Sequence, residues 1–210
     1  MRNTFEVTFL GTNGSCAYNC GERKKYGTNT LCVAVKAGDE EIIFDAGTGI
    51  CRLSELQNYS NKHKHLYLTH YHMDHIDGLL FYSGLFDPKM NIDVYGRGDV
   101  QKVLSDLISP PLCPVGTEVF TAALTYNTVE DDQCFVFPGD LIIKTRNLSH
   151  PGGALGCRVE YGSKSFCYCV DIELANHKDD SSLKEFTSTL KVPLRTIYIS
   201  SPSSFWKNTV

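Results

Sequence analysis

Three histidines and an aspartate lie within six residues, directly after a short apolar run, and no other feature constrains this chain as strongly. Residues 66–69 (Leu-Tyr-Leu-Thr) predict a strand, and His70-x-His72-x-Asp74-His75 follows it. In an extended stretch His70, His72 and Asp74 project to one side, and a turn would bring His75 to the same place. Imidazole and carboxylate groups suit divalent cations, and α/β sheets place ligands where strands end. The pattern therefore predicts a metal site, with a solvated polar loop as the alternative.

The composition is that of an ordinary globular protein and excludes disorder as the main state. Hydrophobic residues make up 42% and charged residues 21% of the 210 residues, which favours a single domain over residues 1–210. A net charge of −4 does not indicate bulk attraction to nucleic acid or to an anionic membrane. Because the chain has neither an apolar run of bilayer length nor a signal-like start, we expect a cytoplasmic protein without membrane association.

The nine cysteines do not predict a disulfide framework. Their number is odd, no secretory signal precedes them, and the chain has no Cys-x-x-Cys pair that would indicate a structural zinc knuckle. We expect most of them to be small apolar core residues or free surface thiols.

Strand-like segments alternate with a few helical ones along the whole chain. Strands are expected over residues 5–10, 30–35, 41–44, 66–69, 91–95 and 165–170, with a β-rich region over 118–161; helices are expected over 50–59, 76–85, 100–108 and 181–190. Gly38-Asp39 predicts a hairpin turn, and Asp99 can cap a helix. This arrangement is typical of a layered α/β architecture. His63 and His65, flanked by Lys62 and Lys64, are expected at the surface.

The histidine cluster followed by Gly78 resembles the metal-binding motif of the metallo-β-lactamase superfamily. Other segments stand in the order of its phosphodiesterase-like branch, which includes cyclic-phosphate phosphodiesterases and RNase Z-like tRNA-processing endonucleases. They are residues 9–15 (the first strand and turn), residues 44–49 (a strand ending on Asp45), residues 149–156 (bearing His150) and a strand ending on Asp171. The resemblance covers roughly residues 5–175, and only the histidine motif is specific by itself.

The resemblance implies a four-layer αβ/βα sandwich with two divalent metal ions, expected to be zinc with manganese or iron as alternatives. The ligands that it implies are His70, His72 and His150 for the first ion, Asp74 and His75 for the second, and Asp171 for both. It also implies that Asp74 is the catalytic residue and that Asp45 orients a ligand by hydrogen bonding. Two such ions about 3.5–4 Å apart can hold a reactive hydroxide. Taken alone, His150, Asp171 and Asp45 also fit ordinary turn or cap positions.

The end of the chain departs from the superfamily pattern. In the superfamily, another β/α unit and a last histidine follow the bridging aspartate. In this chain, His177 is the only histidine after Asp171. We therefore expect an incomplete second half, with the last 20 or so residues atypical. A missing unit would leave a sheet edge unpaired, which would favour pairing with a second copy of the chain as a homodimer.

These observations favour a metal-dependent hydrolase, with a small phosphodiester or another anionic molecule as substrate and a metal-bound hydroxide as nucleophile. Hydrolysis of a thioester or lactam is one alternative, because the ligand set does not separate these substrates. A catalytically impaired, truncated metal-binding protein of the same fold is another. Nucleic acid as substrate is not indicated by the charge.

Overall fold

The computed structural model describes residues 4–18, 26–173, 181–187 and 197–199, and within them the chain forms two β-sheets. The first sheet has six strands in sequential order: β1 (Phe5–Gly11), β2 (Cys32–Ala37), β3 (Glu40–Phe44), β4 (His63–Tyr67), β5 (Asn91–Gly96) and β6 (Ala123–Thr128). Strands β1 to β3 pair antiparallel, and β3 to β6 pair parallel. The carboxyl ends of β3 and β4 therefore meet at one edge.

The second sheet has five strands, in the order β11, β10, β9, β8, β7. Their bounds are β7 (Cys134–Phe137), β8 (Leu141–Leu148), β9 (Ala154–Tyr161), β10 (Lys164–Val170) and β11 (Ile197–Ile199). Both β8 and β10 pair antiparallel with β9, so β8 and β10 run in the same direction and end at the same edge. Strand β11 pairs parallel with β10, although the sequence pattern does not predict a strand in this region.

The two sheets pack face to face through alternating apolar side chains. Phe44 and Tyr67 of the first sheet share one buried cluster with Val159, Phe166 and Tyr168 of the second. On the outer face of the first sheet, a second cluster packs the strands against short helices. On the outer face of the second sheet, Cys167 and Cys169 pack with the helix α2 (Ser181–Thr187). The described residues thus form the four layers expected of the sandwich.

The helices differ in how well the sequence predicts them. Helix α1 (Val100–Leu107) begins after Asp99, whose Oδ1 accepts a hydrogen bond from the Lys102 amide at 2.9 Å, as the capping pattern predicts. The segments expected to be helical over 50–59 and 76–85 form 3₁₀ helices instead, at Thr48–Glu55, Leu79–Phe81 and Ser83–Phe86. A β-carbon at Gly49 or Gly78 would clash with backbone atoms of Gly11 or Gly47, and one at Gly84 would meet the Tyr82 ring. Glycine also disfavours a regular helix at these positions.

Several sequence-based expectations can be compared directly with the structure. The eight cysteines among the described residues are free, as expected, and Cys32, Cys157, Cys167 and Cys169 are buried. Helix α2 begins at Ser181 as predicted. The predictions for Cys20, His177 and residues 188–190 and 200–210 fall outside the described residues. In the part of the chain that is described, no helix is long and apolar enough to cross a bilayer.

The expectation that His63 and His65 lie at the surface is confirmed for His63 and wrong for His65, and Lys64 between them is buried as well. Lys64 is buried on the outer face of the first sheet, where its ammonium group binds the Glu41 carboxylate and the carbonyl oxygens of Tyr59 and Asn61. His65 is buried on the inner face beside Phe137. The charged and polar sequence of β4 concealed its burial, because the carboxylates that accompany Lys64 and His65 come from Glu41 and Glu40 of the neighbouring strand.

Candidate metal centre

Four strand ends carry the residues that the histidine motif and the resemblance identified. Asp45 follows β3, His70 lies just after β4, His150 follows β8, and Asp171 follows β10. The two halves are joined here by a backbone hydrogen bond from the Leu155 amide to the Thr69 carbonyl oxygen at 2.9 Å. Residues that are about 100 positions apart in sequence therefore meet at one edge of the sandwich.

The backbone is in the left-handed region at both aspartates that end these strands. Asp45 has φ 60° and Asp171 has φ 50°. Non-glycine residues adopt this region at an energetic cost, and aspartate tolerates it better than most. The sharp change of direction ends each strand and leaves the carboxylate in the space between the sheets, where the imidazoles lie.

The chain turns inside the histidine motif. Met73–His75 forms a 3₁₀ helix, held by hydrogen bonds from the Ala46 amide to the His75 carbonyl oxygen (2.7 Å) and from the Leu31 amide to the Asp74 carbonyl oxygen (3.2 Å). This turn carries His75 into the interior, where it is fully buried, while His72 stays exposed. The sequence left open whether residues 70–75 are extended or turn, and in the structure they turn at Met73–His75.

The first group of candidate ligands is His70, His72, His150 and Asp171, each offering one atom within 4.8 Å of all the others. His72 Nδ1 lies 3.0 Å from His70 Nε2 and 3.2 Å from His150 Nε2. Asp171 Oδ2 lies 3.4 Å from His70 Nε2 and 3.9 Å from His150 Nε2. Both sheets contribute to this group, and His150 lies beside the 70–75 segment as the resemblance implies.

The second group is Asp74, His75 and Asp171, by the same distance criterion. His75 Nε2 lies 2.9 Å from Asp171 Oδ2 and 3.7 Å from Asp74 Oδ2. Asp74 Oδ2 also accepts a hydrogen bond from the Ser15 amide at 2.7 Å, which ties it to the loop after β1. Asp171 belongs to both groups, so the geometry brings together all six residues predicted from the sequence.

Asp45 is the centre of a buried hydrogen-bond network behind the histidines. Its carboxylate accepts from the Thr69 amide (2.8 Å), the Thr69 hydroxyl (2.9 Å), His75 Nδ1 (2.7 Å) and the Tyr168 hydroxyl (3.0 Å). The bond from His75 Nδ1 leaves Nε2 facing Asp171. Thr69 Oγ1 also lies 3.1 Å from His70 Nδ1, and since its proton goes to Asp45 it can accept from that nitrogen. Asp45 thus orients a histidine, as the resemblance implies.

Burial and neighbouring charge shift the titration of these groups. Burial acts to lower the pKa of His75, but the Asp45 and Asp171 carboxylates outweigh it and raise the pKa to about 10. Burial would raise the pKa of Asp171, yet hydrogen bonds from His70 and His75 hold it well below its usual range. Burial lowers the pKa values of His72 and His150, which favours the neutral imidazoles that metal ions require.

The residues present fit a pair of divalent cations. Within the described part of the chain, Asp171 Oδ1 is buried and accepts no hydrogen bond, although a buried carboxylate oxygen is costly without a partner. The same carboxylate lies against imidazoles from both groups, and the donor atoms are the nitrogen and oxygen ligands that zinc prefers. Asp171 would therefore serve as a ligand for cations of both groups, together with the imidazoles that lie against it.

A cavity of about 240 Å³ opens beside His70 and His72. Its other lining residues are Tyr71, Arg97, Pro151, Gly152 and Gly153. Gly152 and Gly153 have φ of 82° and 79°, a conformation that glycine adopts without strain and that lets the chain turn closely past His72 and Arg97. The Arg97 guanidinium is held by Asp131 at 3.0 Å and by Asn147 at 2.6 Å.

The sequence pattern missed four residues that shape this site: Thr69, Ser15, Tyr168 and Arg97. Thr69 directly precedes the motif and Ser15 ends the glycine-containing turn after β1, so their positions offered a weak signal. Tyr168 lies three residues before Asp171 on β10 and reads as an ordinary core aromatic. Arg97 follows β5 with no motif around it, and only the fold brings it beside residues 151–153.

Known proteins with similar sequences are ribonucleases Z of archaea. Ribonuclease Z of Pyrococcus furiosus is 28% identical over 124 residues, which are 57% of this chain and 38% of that protein. Ribonuclease Z of Pyrococcus horikoshii is 34% identical over 108 residues, which are 50% of this chain and 33% of that protein. The match thus spans about a third of these relatives' own lengths.

Solved structures with a similar fold include a metallo-β-lactamase fold protein. The metallo-β-lactamase fold protein YhfI of Bacillus subtilis has a TM-score of 0.56 at 18% identity, covering 79% of this chain and 60% of its own. The short form of human tRNase Z has 0.55 at 19% identity, with 77% and 67% covered. A diphosphatase of the PhnP family has 0.57 at 14% identity, with 96% and 80% covered. The predicted fold is confirmed.

One family model matches most of the chain. It describes the anti-Pycsar protein Apyc1 and matches residues 5–190, a span that contains both strand-end aspartates and every histidine of the site. From the metallo-β-lactamase fold, the converging ligand groups and this match, we conclude that the chain belongs to the anti-Pycsar protein Apyc1 family.

Proposed function

We propose that this protein is a metal-dependent hydrolase that cleaves small phosphodiesters. The single observation that carries the proposal is the pair of ligand groups that share Asp171. His70, His72, His150 and Asp171 would hold one divalent ion, and Asp74, His75 and Asp171 the other. When bound, such ions lower the pKa of water and neutralise charge on the oxygens of a substrate.

The surroundings of the site favour an anionic substrate of modest size. The cavity beside His70 and His72 has about 240 Å³, which suits a small molecule better than a folded nucleic acid. Arg97 lines this cavity and can donate hydrogen bonds to phosphate oxygens, since guanidinium matches their geometry. The net charge of −4 gives no general attraction for a polyanion, so recognition has to be local.

The chain's own residues would then divide the work. Thr69 and Asp45 hold His70 and His75 in the orientation described above. Asp74 is the proposed catalytic carboxylate, kept in place by the Ser15 amide. Arg97 positions the phosphate group.

Hydrolysis of a chromogenic phosphodiester, with zinc or manganese added to metal-free protein, tests this proposal. We expect turnover by the wild type and a loss of at least 100-fold in kcat for Asp171→Asn, which removes the carboxylate shared by both groups. The metal content should fall in His72→Ala and His150→Ala. Folded protein that binds two ions per chain yet cleaves no phosphodiester, while it cleaves a thioester or lactam, would contradict the substrate class. Bound metal with no hydrolysis of any of them would favour a catalytically impaired metal-binding protein.

RNA is the second candidate substrate, because two relatives that match half of the chain or more bear the name ribonuclease Z. The same phosphodiester chemistry would apply, so the substrates must be compared directly. A precursor tRNA and a small phosphodiester, assayed at equal concentration with the same metal, separate the two. We expect the larger kcat/KM for the small phosphodiester, and a preference for the tRNA would reverse the assignment.

A further inference from the structure

A second set of candidate ligands lies at the opposite end of the same strands. Glu40 begins β3, His63 begins β4, and His65 pairs with Asp93 of β5 in the sheet register. Side chains two residues apart in a strand point to the same face, and Ile42 and Tyr67 place that face against the second sheet. Two imidazoles and two carboxylates therefore share the inner face, at the amino-terminal ends of three neighbouring parallel strands.

The distances in this set are those of a preformed site. Glu40, His63 and His65 each offer one ligand atom within 4.8 Å of the others. Asp93 Oδ2 lies 2.8 Å from His63 Nε2 and 3.6 Å from His65 Nδ1, and Glu40 Oε2 lies 3.1 Å from His65 Nε2. The two imidazole rings are 4.6 Å apart at their centroids.

One nitrogen in this set lacks a hydrogen-bond partner. The side chain of His65 is only 4% exposed, and among the described residues its Nδ1 forms no hydrogen bond. The other nitrogen, Nε2, bonds to Glu40, and the ring packs against Phe137 of the second sheet at 4.6 Å between centroids. A buried ring nitrogen without a partner is costly, and here it faces a carboxylate oxygen at a distance too long for a hydrogen bond. A cation beside Nδ1 would satisfy both atoms.

We propose that His63, His65 and Asp93 bind a divalent cation of the zinc class, separate from the metal centre at the other end of β3 and β4, and that Glu40 orients the His65 ring through its bond to Nε2. The mixture of imidazole nitrogen and carboxylate oxygen is the donor set of zinc and similar borderline cations, whereas magnesium and calcium favour oxygen alone. The cation links β4 and β5 of the first sheet, beside a ring that Glu40 of β3 holds and that packs on the second sheet. Its role is to stabilise this end of the sandwich, and it does not depend on the proposed hydrolase activity.

Zinc binding to metal-free protein tests this site. The zinc content is measured by elemental analysis at a series of buffered free zinc concentrations, for the wild type, His63→Gln and Asp93→Asn. We expect each variant to bind one zinc ion fewer than the wild type at the same free concentration, or to bind it at least tenfold more weakly. His63 is 45% exposed in its side chain, so its replacement should leave the fold intact. Asp106→Asn, which removes an exposed carboxylate on α1, is the matched control and should bind as the wild type.

A variant that lacks the ligands of the metal centre distinguishes zinc bound there from zinc bound at the proposed second site. In a quadruple variant that lacks ligands of both groups (His72→Gln, Asp74→Asn, His150→Gln and Asp171→Asn), we expect one zinc ion to remain, and adding His63→Gln should remove it. The proposal is overturned if His63→Gln and Asp93→Asn match the wild type at every zinc concentration, or if the folded quadruple variant binds no zinc. If His63→Gln does not fold, as judged by circular dichroism, Asp93→Asn decides between the two outcomes.

Discussion

At the scale of single residues, one carboxylate controls the orientation of two histidines. Asp45 receives a hydrogen bond from His75 Nδ1 directly and reaches His70 through the Thr69 hydroxyl. In both rings the opposite nitrogen, Nε2, faces Asp171. Hydrogen bonds of this kind fix the tautomer and the direction of a metal-ligating imidazole.

Replacing Thr69 by valine should weaken zinc binding at the metal centre. Valine has the same shape but cannot bridge Asp45 and His70, so His70 loses the contact that fixes its tautomer. We expect the zinc affinity to fall by about tenfold or more, the lower end of the range for such contacts. Thr69→Ser retains the hydroxyl and should bind nearly as the wild type in a competition titration with a chelating dye. Equal affinities for valine and serine would show that the hydroxyl has no such role.

Replacing the single residue Arg97 tests how the substrate is recognised. We expect Arg97→Gln to raise KM for an anionic phosphodiester about tenfold, which corresponds to about 1.4 kcal/mol. The effect on kcat should be smaller, because Arg97 lies beside the cavity and not among the ligand groups. Lys102→Gln, an exposed cation on α1, provides the comparison in steady-state kinetics. A fall in kcat with an unchanged KM would assign Arg97 a different role.

At the scale of the elements, the first sheet contains a buried ion pair between two of its strands. The Glu41 side chain of β3 is fully buried and binds Lys64 of β4, and Lys36 of β2 approaches the same carboxylate at 3.2 Å. Removing one partner of a buried pair leaves an uncompensated charge, while replacing both with apolar residues removes the desolvation cost as well.

Glu41→Leu alone should therefore lower the free energy of unfolding by about 3–5 kcal/mol. The double variant Glu41→Leu, Lys64→Met should recover most of that loss. Urea unfolding of the wild type, both single variants and the double variant gives the coupling energy between the two residues. Additive losses would mean that the two side chains stabilise their strands independently.

The second sheet offers a test of pH dependence. Burial would raise the pKa of Glu160 on β9, but hydrogen bonds from Arg158 and Lys144 outweigh burial and hold the pKa below its usual value. A carboxylate with a lowered pKa stabilises the fold above its unfolded pKa, and this contribution is lost as the pH falls through the folded pKa. We expect Glu160→Gln to cost about 1 kcal/mol at pH 7 and progressively less below pH 4. Urea unfolding midpoints of the wild type and Glu160→Gln, at pH 7 and below pH 4, measure this cost. A stability difference that does not change with pH would show that the Glu160 carboxylate does not couple stability to pH.

At the scale of the whole molecule, the metal centre joins the two halves of the sandwich. His70, His72, Asp74 and His75 come from the first sheet and its loops, and His150 and Asp171 from the second. A ligand that binds only when both halves are in place stabilises the folded state by mass action.

Zinc at 100 times its dissociation constant should stabilise the protein by about 2.7 kcal/mol. For a chain of this length that corresponds to a rise in Tm of about 5–10 °C. A chelator should reverse the shift. In His150→Ala the zinc-dependent rise should be markedly smaller, because one sheet then loses a ligand. Thermal unfolding followed by circular dichroism provides the measurement. An equal rise in Tm for the wild type and His150→Ala would show that zinc does not stabilise the fold through this centre.

The sequence alone predicted the strands before Asp45, His70 and Asp171 and the residues that meet there, while the strand before His150 was predicted only as part of a β-rich region over 118–161. The motif at His70–His75, with the resemblance that it supports, predicted the sandwich and the approach of His150 and Asp171. Local patterns were sufficient here because the spacing of ligands within six residues, and the apolar run before them, can be read directly from the sequence. The 3₁₀ helices over 48–55 and 79–86 were not predicted, since the apolar pattern does not reveal that Gly49 and Gly78 pack against backbone from distant segments.

Only the tertiary structure decided which polar residues are buried and with whom. Lys64 and His65 lie in a stretch that reads as solvent-exposed, yet strand β4 places one on each face of a covered sheet. Arg97, Thr69 and Tyr168 likewise acquire their partners from segments far away in the chain. The cost of burying a polar group depends on the atoms that surround it after folding, and a one-dimensional pattern contains no record of those neighbours.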